Sequence, residues 1–340
     1  MTNLLFVTQV MDQNDSVLGF SHGWIKALAP FMETITVVCL FEGEHDLPDN
    51  VRVFSLGKED GAKPSYVYAL RFLSIVWKMR ASYDSVFVHM NQEYILIAGW
   101  LWKILGKRIY VWRNHYAGSW LTDIAAAFCA KVFCTSKHSY TAKYHKTVLM
   151  PVGIDTSRFY INEQIKREPR SILFFARISP SKRADLFIEA LGLLLGKGIS
   201  FVASVYGSPI PSDIPYYESL QARAEMLGLH DRVRFHPGVP NEKAPAVFNA
   251  HEIFVNCSPN GMFDKMIFEA AAAGCRVVAQ SQDWNELNGN EASEVSWEAE
   301  DLAELLKEEL AAPINEGTSG QVVTKNSLEA LTKRLVLEIS

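Results

Sequence analysis

Apolar residues along this chain form two kinds of segment, and the two kinds alternate. Short runs of β-branched and aliphatic residues have the length of buried strands, whereas apolar positions repeated every three or four residues have the period of helices. The predicted strands span 4–10, 34–41, 51–56, 85–90, 108–112, 131–135, 171–176, 200–206, 233–235, 253–255 and 275–279. The predicted helices span 23–31, 66–79, 94–105, 184–195, 216–227, 242–248, 262–274, 301–310 and 327–337. This alternation favours parallel, doubly wound α/β sheets.

The alternation pauses between Thr147 and Phe159, and a polar segment follows from 161 to 170. A chain of 340 residues is also longer than one ordinary hydrophobic core supports. We therefore expect an N-terminal Rossmann-like domain over 1–152, a C-terminal one over 153–320, and a helix within 321–340 that packs back on the first domain. Two parallel sheets facing a central cleft would bind ligands there, because open α/β sheets bind ligands at the carboxyl ends of their strands.

The composition is that of a soluble globular protein, with 49% hydrophobic and 21% charged residues. A net charge of −5 argues against a general nucleic-acid binder. The N-terminus has no basic lead, which indicates a first strand rather than a signal peptide, and no apolar run approaches the ~18 residues of a membrane span. The five cysteines lack CxxC or metal-ligand spacing, so we expect buried, reduced thiols in a cytoplasmic protein.

One stretch carries the clearest chemical signal. The residues Ser258-Pro-Asn-Gly261 form a turn after a strand, and the apolar stripe that follows has helical spacing up to Gly274. The start of such a helix presents free backbone N–H groups and a positive dipole end, which suit an anion such as a diphosphate. The plainer interpretation is a packed structural unit with a solvated ion pair between Lys265 and Glu269 at i, i+4.

Other phosphate-binding signatures are missing from the sequence. The first strand is followed by neither G-x-G-x-x-G nor a Walker lysine, and no Asp-x-Asp ends a strand to hold a divalent metal. An anionic group would then need cationic side chains, and Arg177 and Lys182 follow the strand 171–176 at its carboxyl end. A single cation there would be interpreted as a solvated loop residue, but two at one sheet edge favour function.

Several motifs, spread over most of the chain, resemble those of the retaining GT-B glycosyltransferases of family 4. They are Pro151-Val-Gly-Ile-Asp-Thr-Ser-Arg-Phe159, Arg177-(x4)-Lys182 followed by Asp185-Leu-Phe-Ile-Glu-Ala190, Val205-Tyr-Gly207, Phe235-His-Pro-Gly238 and Phe268-Glu-Ala-Ala-Ala-Ala-Gly274. Three N-terminal segments resemble one subgroup of that family: Leu18-Gly-Phe-Ser-His22, His89-Met-Asn-Gln-Glu-Tyr94 and Val111-Trp-Arg-Asn-His115.

The resemblance implies two sets of residues on the donor side. The catalytic set is His115, Arg177, Lys182 and Glu269, and the donor-binding set is Gly19, Gly207, Gly238, Gly261, Met262, Phe263, Asp264 and Lys265. Arg177 and Lys182 would bind the donor diphosphate and neutralise the leaving group, and Glu269 would hold the ribose hydroxyls. Gly19 would let a first-domain loop approach the phosphates, and His115 would lie beside the reacting sugar.

One position departs from the family pattern. Relatives usually carry a second Glu eight positions before the one matched by Glu269, and this chain has Gly261 there. Because that Glu typically contacts sugar hydroxyls, we expect Asp264 or Lys265 to substitute for it.

The acceptor side is expected in the first domain, at or after its strand ends. The candidate residues are His22, His89, Asn91 and Arg113. For His22 the alternative is a helix cap, and for His89 and His115 it is a structural role. Four other histidines are interpreted as ordinary surface or loop residues: His138, His145, His230 and His251.

The first domain also has a basic, aromatic character along 66–80 and 99–108. Residues 61–150 contain 12 Lys and Arg against 3 Asp and Glu. Most of the apolar stripe is expected in the core, as helices between parallel strands bury one face. The surplus cations suit docking on an anionic membrane leaflet, or an acidic or lipid-diphosphate acceptor.

The resemblance implies transfer of a sugar, with retention of configuration, from a UDP- or GDP-sugar to a glycan or lipid-linked acceptor in cell-surface polysaccharide or glycoconjugate synthesis. No metal and no cofactor are expected, and a phosphate oxygen of the leaving group would take the acceptor proton. The alternatives are a catalytically inert GT-B module that binds nucleotide sugar or glycan, and another GT-B enzyme such as an epimerase or an inverting transferase.

Overall fold

The computed structural model describes residues 2–15, 18–259, 264–287, 296–313 and 320–339. The chain forms two compact units, one of Met1–Asp155 with Ser327–Ser340 and one of Thr156–Asn326. Each unit is built on one parallel sheet, which confirms the predicted α/β class with two parallel sheets.

Among the described residues, the first unit starts with seven strands and four helices. In chain order they are β1 Thr2–Met11, α1 Phe20–Leu28, β2 Met32–Glu42, β3 Val51–Ser55, α2 Ser65–Lys78, β4 Ser85–His89, α3 Glu93–Ile104, β5 Arg108–Trp112, α4 Trp120–Phe128, β6 Lys131–Cys134 and β7 Thr147–Leu149. The strands are ordered β3-β2-β1-β4-β5-β6-β7, and all neighbouring pairs are parallel.

The second unit contains a five-stranded sheet. Its elements are β8 Ser171–Phe175, α5 Ala184–Gly196, β9 Val202–Tyr206, α6 Ile214–Met226, β10 Val233–His236, α7 Ala244–Asn249, β11 Ile253–Asn256, α8 Lys265–Ala272, β12 Arg276–Ala279, α9 Gln282–Leu287, α10 Ala299–Ala311 and α11 Gly320–Lys325. The order is β10-β9-β8-β11-β12, again all parallel. Short 3-10 turns occur at Ala29–Phe31, Tyr140–Lys143, Pro180–Lys182, Pro211–Asp213 and Asn241–Lys243.

The last helix, α12 (Leu328–Ile339), belongs to the first unit. It packs against α1, and its apolar side chains Leu331, Leu335 and Ile339 share a buried cluster with Trp24. Helices α2, α3 and α4 cover the opposite face of the same sheet. The strands of this sheet are continuous apolar runs because both faces are covered.

Both sheets change the side of their crossovers next to the first strand of the unit. In the first sheet β1 lies between β2 and β4, and in the second β8 lies between β9 and β11. Connections that leave such a pair of strands diverge, which opens a crevice at the carboxyl ends of the strands. The fold therefore marks one position on each sheet where a ligand is favoured.

Four elements were missed by the sequence pattern: β7, α4, α9 and α11. Helix α4 connects the parallel neighbours β5 and β6, and such a connection between parallel strands is usually an α-helix. The apolar run before Pro151, assigned to the linker, forms β7 because its backbone pairs with β6. Helix α1 begins at Phe20 rather than at Gly23, since the N–H groups of Ser21 and His22 already donate to Leu18 and Gly19.

Candidate functional site

The loops after β8 and β11 meet at the carboxyl edge of the second sheet, where its crossovers diverge. Arg177 lies exposed two residues after β8, and Lys182 ends the 3-10 turn that leads into α5. Ser258 and Asp264 follow β11 and precede α8. The predicted lysine and the predicted anion-binding helix are therefore in direct contact, with Arg177 on the same edge.

An ion pair holds Lys182 in this position. Its Nζ lies 2.7 Å from Oδ2 of Asp264 and donates a second hydrogen bond to Oγ of Ser258 at 3.2 Å. The side chains of Lys182 and Asp264 are only 19% and 8% exposed, so salt in the solvent screens their attraction weakly.

The carboxylate of Asp264 is largely occupied by protein donors. Its Oδ2 also accepts from Nδ2 of Asn256 at 2.9 Å, and its Oδ1 caps α8 by accepting from the backbone N–H of Met266 at 3.2 Å. Burial acts to raise the pKa of Asp264, but the Lys182 ammonium and these hydrogen bonds hold it below its ordinary value. Little acceptor capacity is left on Asp264 for a sugar hydroxyl. Binding such a hydroxyl was the role expected of Asp264 because Gly261 replaces the Glu that relatives usually carry.

Glu269 is a buried carboxyl group on α8. It is 5% exposed, and its Oε1 lies 3.4 Å from Nζ of Lys265. The i, i+4 pair therefore forms, but it is not solvated as in the plainer interpretation, because α8 packs against α7, α11 and β12. Burial raises the pKa of Glu269 above its ordinary value, against the opposing effect of Lys265. This carboxyl retains acceptor capacity for ligand hydroxyls.

The far end of α8 is held by Arg167, which the sequence assigned only to a polar segment. Its guanidinium donates to the carbonyl oxygens of Ala273 and Gly274 at 2.5 and 2.6 Å. Helix α8 is thus fixed at both ends by charged side chains from elsewhere in the unit. Three predicted donor-binding residues, Gly261, Met262 and Phe263, lie outside the described residues.

The two predicted glycines of the second unit differ in their surroundings. Gly207 follows β9, its N–H donates to the carbonyl of His236 at 3.1 Å, and a Cβ here would lie 1.9 Å from the carbonyl oxygen of Ala176. Gly238 donates its N–H to Oγ of Ser208 at 2.9 Å, and a Cβ would meet its nearest atom at 3.4 Å. The packing of the strand ends is therefore enough to require glycine at 207, whereas position 238 has room for a Cβ.

Gly19 and His22 of the first unit are engaged within their own loops. A Cβ at Gly19 would lie 2.6 Å from the carbonyl oxygen of Asp15, so the turn itself needs glycine. His22 is buried, with Nε2 at 2.8 Å from the carbonyl oxygen of Asp46. Burial lowers the pKa of His22, so the neutral imidazole is favoured.

His89 ends β4 at the switch point of the first sheet. It is 1% exposed, its Nδ1 lies 3.3 Å from Oγ1 of Thr8, and its ring packs among Phe6, Phe20 and Trp24. Its Nε2 has no hydrogen-bond partner among the described residues. Burial lowers the pKa of His89 to about 3, so the ring is neutral at physiological pH.

The next residues turn the backbone sharply. Met90 has a left-handed conformation with φ 69°, which is unusual for a residue other than glycine. The N–H of Asn91 then donates to the carbonyl of His89 at 2.9 Å, and the side chain of Asn91 is half-buried. Backbone strain of this kind is concentrated at functional sites.

Arg113 and His115 follow β5. Arg113 donates from Nη2 to the carbonyl of Ala117 at 2.9 Å, whereas its buried Nη1 has no partner in the described part of the chain. Burial lowers the pKa of this guanidinium. His115 is exposed, accepts at Nδ1 from the N–H of Ala117 at 2.9 Å and stacks on Tyr116 at 4.7 Å.

Several polar residues at these two edges were not predicted from the sequence. On the second sheet they are Asn256 and Ser258, and on the first they are Gln92 and Thr135, which carry buried oxygens without a partner among the described residues. Asn256 had a signal, since a polar residue ends an otherwise apolar strand there. His251, expected at the surface, is buried and bonds Ser204 and the carbonyl of Val247.

Across the described ranges, no three His, Cys, Asp or Glu side chains cluster as a metal site. The described helices include none with the length and apolarity needed to span a membrane. The five cysteines are buried thiols, as predicted.

Residues 169–316 match the family model described as Glycosyl transferases group 1. A D-inositol 3-phosphate glycosyltransferase of Streptomyces griseus is 38% identical over 111 residues, which are 32% of this chain and 24% of that protein. One from Geodermatophilus obscurus is 30% identical over 152 residues, covering 41% of this chain and 34% of that protein. The chain thus spans only about a quarter to a third of the length of these relatives.

Solved structures resemble the chain over its whole length. Anabaena HepE in complex with UDP-glucose has a TM-score of 0.76 at 17% identity, and the alignment covers 99% of each chain. WaaG, a glycosyltransferase involved in lipopolysaccharide biosynthesis, has a TM-score of 0.69 at 16% identity and the same coverage. Likeness at this identity concerns the fold, and it confirms the predicted GT-B fold.

Gly207→Ala should destabilise the protein by about 1–3 kcal/mol, because the added methyl group overlaps a backbone oxygen. Urea unfolding followed by circular dichroism measures this. Gly238→Ala is the matched control and should change stability by less than ~0.5 kcal/mol. Equal effects of the two substitutions would contradict the packing at Gly207.

Glu269→Gln should become more stable than the wild type as the pH rises from 4 to 7. The folded-state pKa of Glu269 lies above 4.5, so the wild type loses stability as the pH rises through that window. Asp264→Asn should show the opposite sign: Asp264 contributes stability above pH 3.8 that is lost as the pH falls through its lowered pKa. Urea unfolding at several pH values tests both, and a Glu269→Gln protein less stable at pH 7 would refute the first.

Proposed function

We propose that the chain, whose residues 169–316 match the family model Glycosyl transferases group 1, is a retaining glycosyltransferase with a nucleoside diphosphate sugar as donor. The observation that carries the proposal is the grouping, at the switch point of the second sheet, of Lys182, Arg177 and the start of α8. Open α/β sheets bind ligands at this position.

The donor diphosphate would lie at the carboxyl ends of β8 and β11. Arg177 is exposed and has no hydrogen-bond or ion-pair partner among the described residues, so its guanidinium is free to pair with phosphate oxygens. Lys182 lies at the same edge, with its charge partly compensated by Asp264, which also caps the start of α8. Glu269, buried on α8, would accept hydrogen bonds from the ribose hydroxyls.

Catalysis would consist of positioning and charge stabilisation. The bond between the anomeric carbon and the diphosphate oxygen breaks, the acceptor oxygen forms the new bond on the same face, and its proton passes to a phosphate oxygen of the leaving group. Negative charge grows on the diphosphate during this step, and preorganised cations at Arg177 and Lys182 stabilise it.

UDP- and GDP-sugars are the donors to test first, and Anabaena HepE was solved with UDP-glucose. For the acceptor, a glycan or lipid-linked molecule with an anionic group suits the first unit. Arg113 there holds a guanidinium with a buried Nη1 that no described carboxylate pairs. The curated relatives named above act, by their names, on a phosphorylated polyol, D-inositol 3-phosphate.

A membrane contact is proposed for the layer of α2, α3 and α4. Its large apolar side chains with at least half of their surface exposed are Tyr66, Leu70, Trp77, Trp100, Ile104 and Trp120. Cations accompany them: Lys78 and Lys103 are exposed, and the Arg80 guanidinium lies 4.2 Å from the Trp77 ring centroid. Aromatic and cationic side chains on one surface suit an anionic leaflet. The buried thiols favour its cytoplasmic side.

Arg177→Ala should lower kcat by about 10²-fold, the scale of losing one preorganised donor to the developing charge. Release of nucleoside diphosphate from a panel of UDP- and GDP-sugars measures it. Arg223→Ala is the control, since Arg223 is paired with Glu189 on the surface of the same unit. Near-normal turnover in Arg177→Ala would refute the assignment.

Lys103→Glu should weaken binding to vesicles that contain phosphatidylglycerol by about tenfold, because a cation near the surface is replaced by an anion. Cosedimentation measures it, with neutral phosphatidylcholine vesicles for comparison. Lys307→Glu makes the same charge change on the exposed face of α10 and should have no effect. Equal binding to both kinds of vesicle, or equal losses in both variants, would contradict a membrane role for the α2–α4 layer.

A further inference from the structure

The anion position at the start of α8 is already filled by a carboxylate of the chain itself. Oδ1 of Asp264 accepts a hydrogen bond from the N–H of Met266. Oδ2 accepts from the Lys182 ammonium at 2.7 Å and from the Asn256 amide at 2.9 Å. A phosphate approaching this position would meet a neutralised lysine and a fixed negative charge.

The two cations of the site are therefore unequal. Lys182 has a buried counter-charge, whereas Arg177 is exposed and unpaired with any described residue. Two buried side chains keep Lys182 paired with Asp264: Ser258, 2% exposed, accepts from Lys182, and Asn256, 3% exposed, donates to Asp264. Both residues follow or end β11, so the ion pair is fixed at the end of that strand. Holding Lys182 in place does not require a charge, since a neutral acceptor could accept the same hydrogen bond.

We propose that Asp264 is a positioning residue that acts as an internal anion: it holds Lys182 at the strand edge and limits how tightly a diphosphate binds there. The inference rests on the proposed function, because it concerns the same diphosphate site. Arg177 then supplies most of the attraction for the bound donor, and the Asp264 charge repels the diphosphate product. Such a charge favours product release, a step that often limits kcat.

The test compares the binding of UDP, GDP and inorganic pyrophosphate to the wild type and to Asp264→Asn by calorimetry. Asparagine also caps helices, so the start of α8 is conserved. Whichever probe the wild type binds should bind Asp264→Asn about tenfold more tightly, the scale on which one nearby charge shifts an ionic equilibrium. Its affinity should also fall more steeply with added NaCl, as one more uncompensated cation faces the ligand.

Asp185→Asn is the matched control, since Asp185 lies in the first turn of α5 near Lys182 but is exposed and bonded to the Tyr216 hydroxyl at 2.6 Å. It should bind the probe within about twofold of the wild type. Equal or weaker binding by Asp264→Asn, or equal gains in both variants, would overturn the inference. If Asp264→Asn does not fold, the same binding measurements are made on Asp264→Ser, because serine also caps helices. The same outcomes then support or overturn the inference. A wild type that binds none of the three probes would contradict the proposed function itself.

Discussion

The ion pair between Lys182 and Asp264 ties together the two loops that leave the middle of the second sheet. One loop follows β8 and the other follows β11, and these neighbouring strands send their connections to opposite sides. The pair joins the two loops with a buried contact, and Arg167 fixes the other end of α8.

Burial acts to raise the pKa of both carboxyl groups of this region, but their partners give opposite net shifts. Asp264 has a close ammonium group and two further donors, so its charged form is favoured and its pKa is lowered. Glu269 has one cation at a longer distance, so burial prevails and its pKa is raised. Burial makes the charged form of Glu269 less stable than it would be in water. Hydrogen bonds donated by a ligand would stabilise that charged form. The ribose hydroxyls of a nucleotide are such donors.

Much of the fold followed from the sequence because strand and helix periods differ clearly in parallel α/β proteins. The boundaries of the strands and helices from β8 to β12 were predicted to within a few residues. The position of Arg177 and Lys182 at one edge of the sheet was also predicted. Three-dimensional pairing decided the rest. Residues 147–149 form a strand only because β6 lies beside them. That Glu269 is buried depends on α7 and α11, which the helical period of α8 cannot reveal.

The most direct test of the account is the configuration of the transferred sugar. We expect ¹H NMR of the product formed from an α-linked UDP- or GDP-sugar to show an α linkage, with release of the nucleoside diphosphate. A β-linked product would contradict retention. Binding of the nucleotide sugars without any transfer, over a panel of glycan and lipid-linked acceptors, would contradict the proposed activity and favour a binding module.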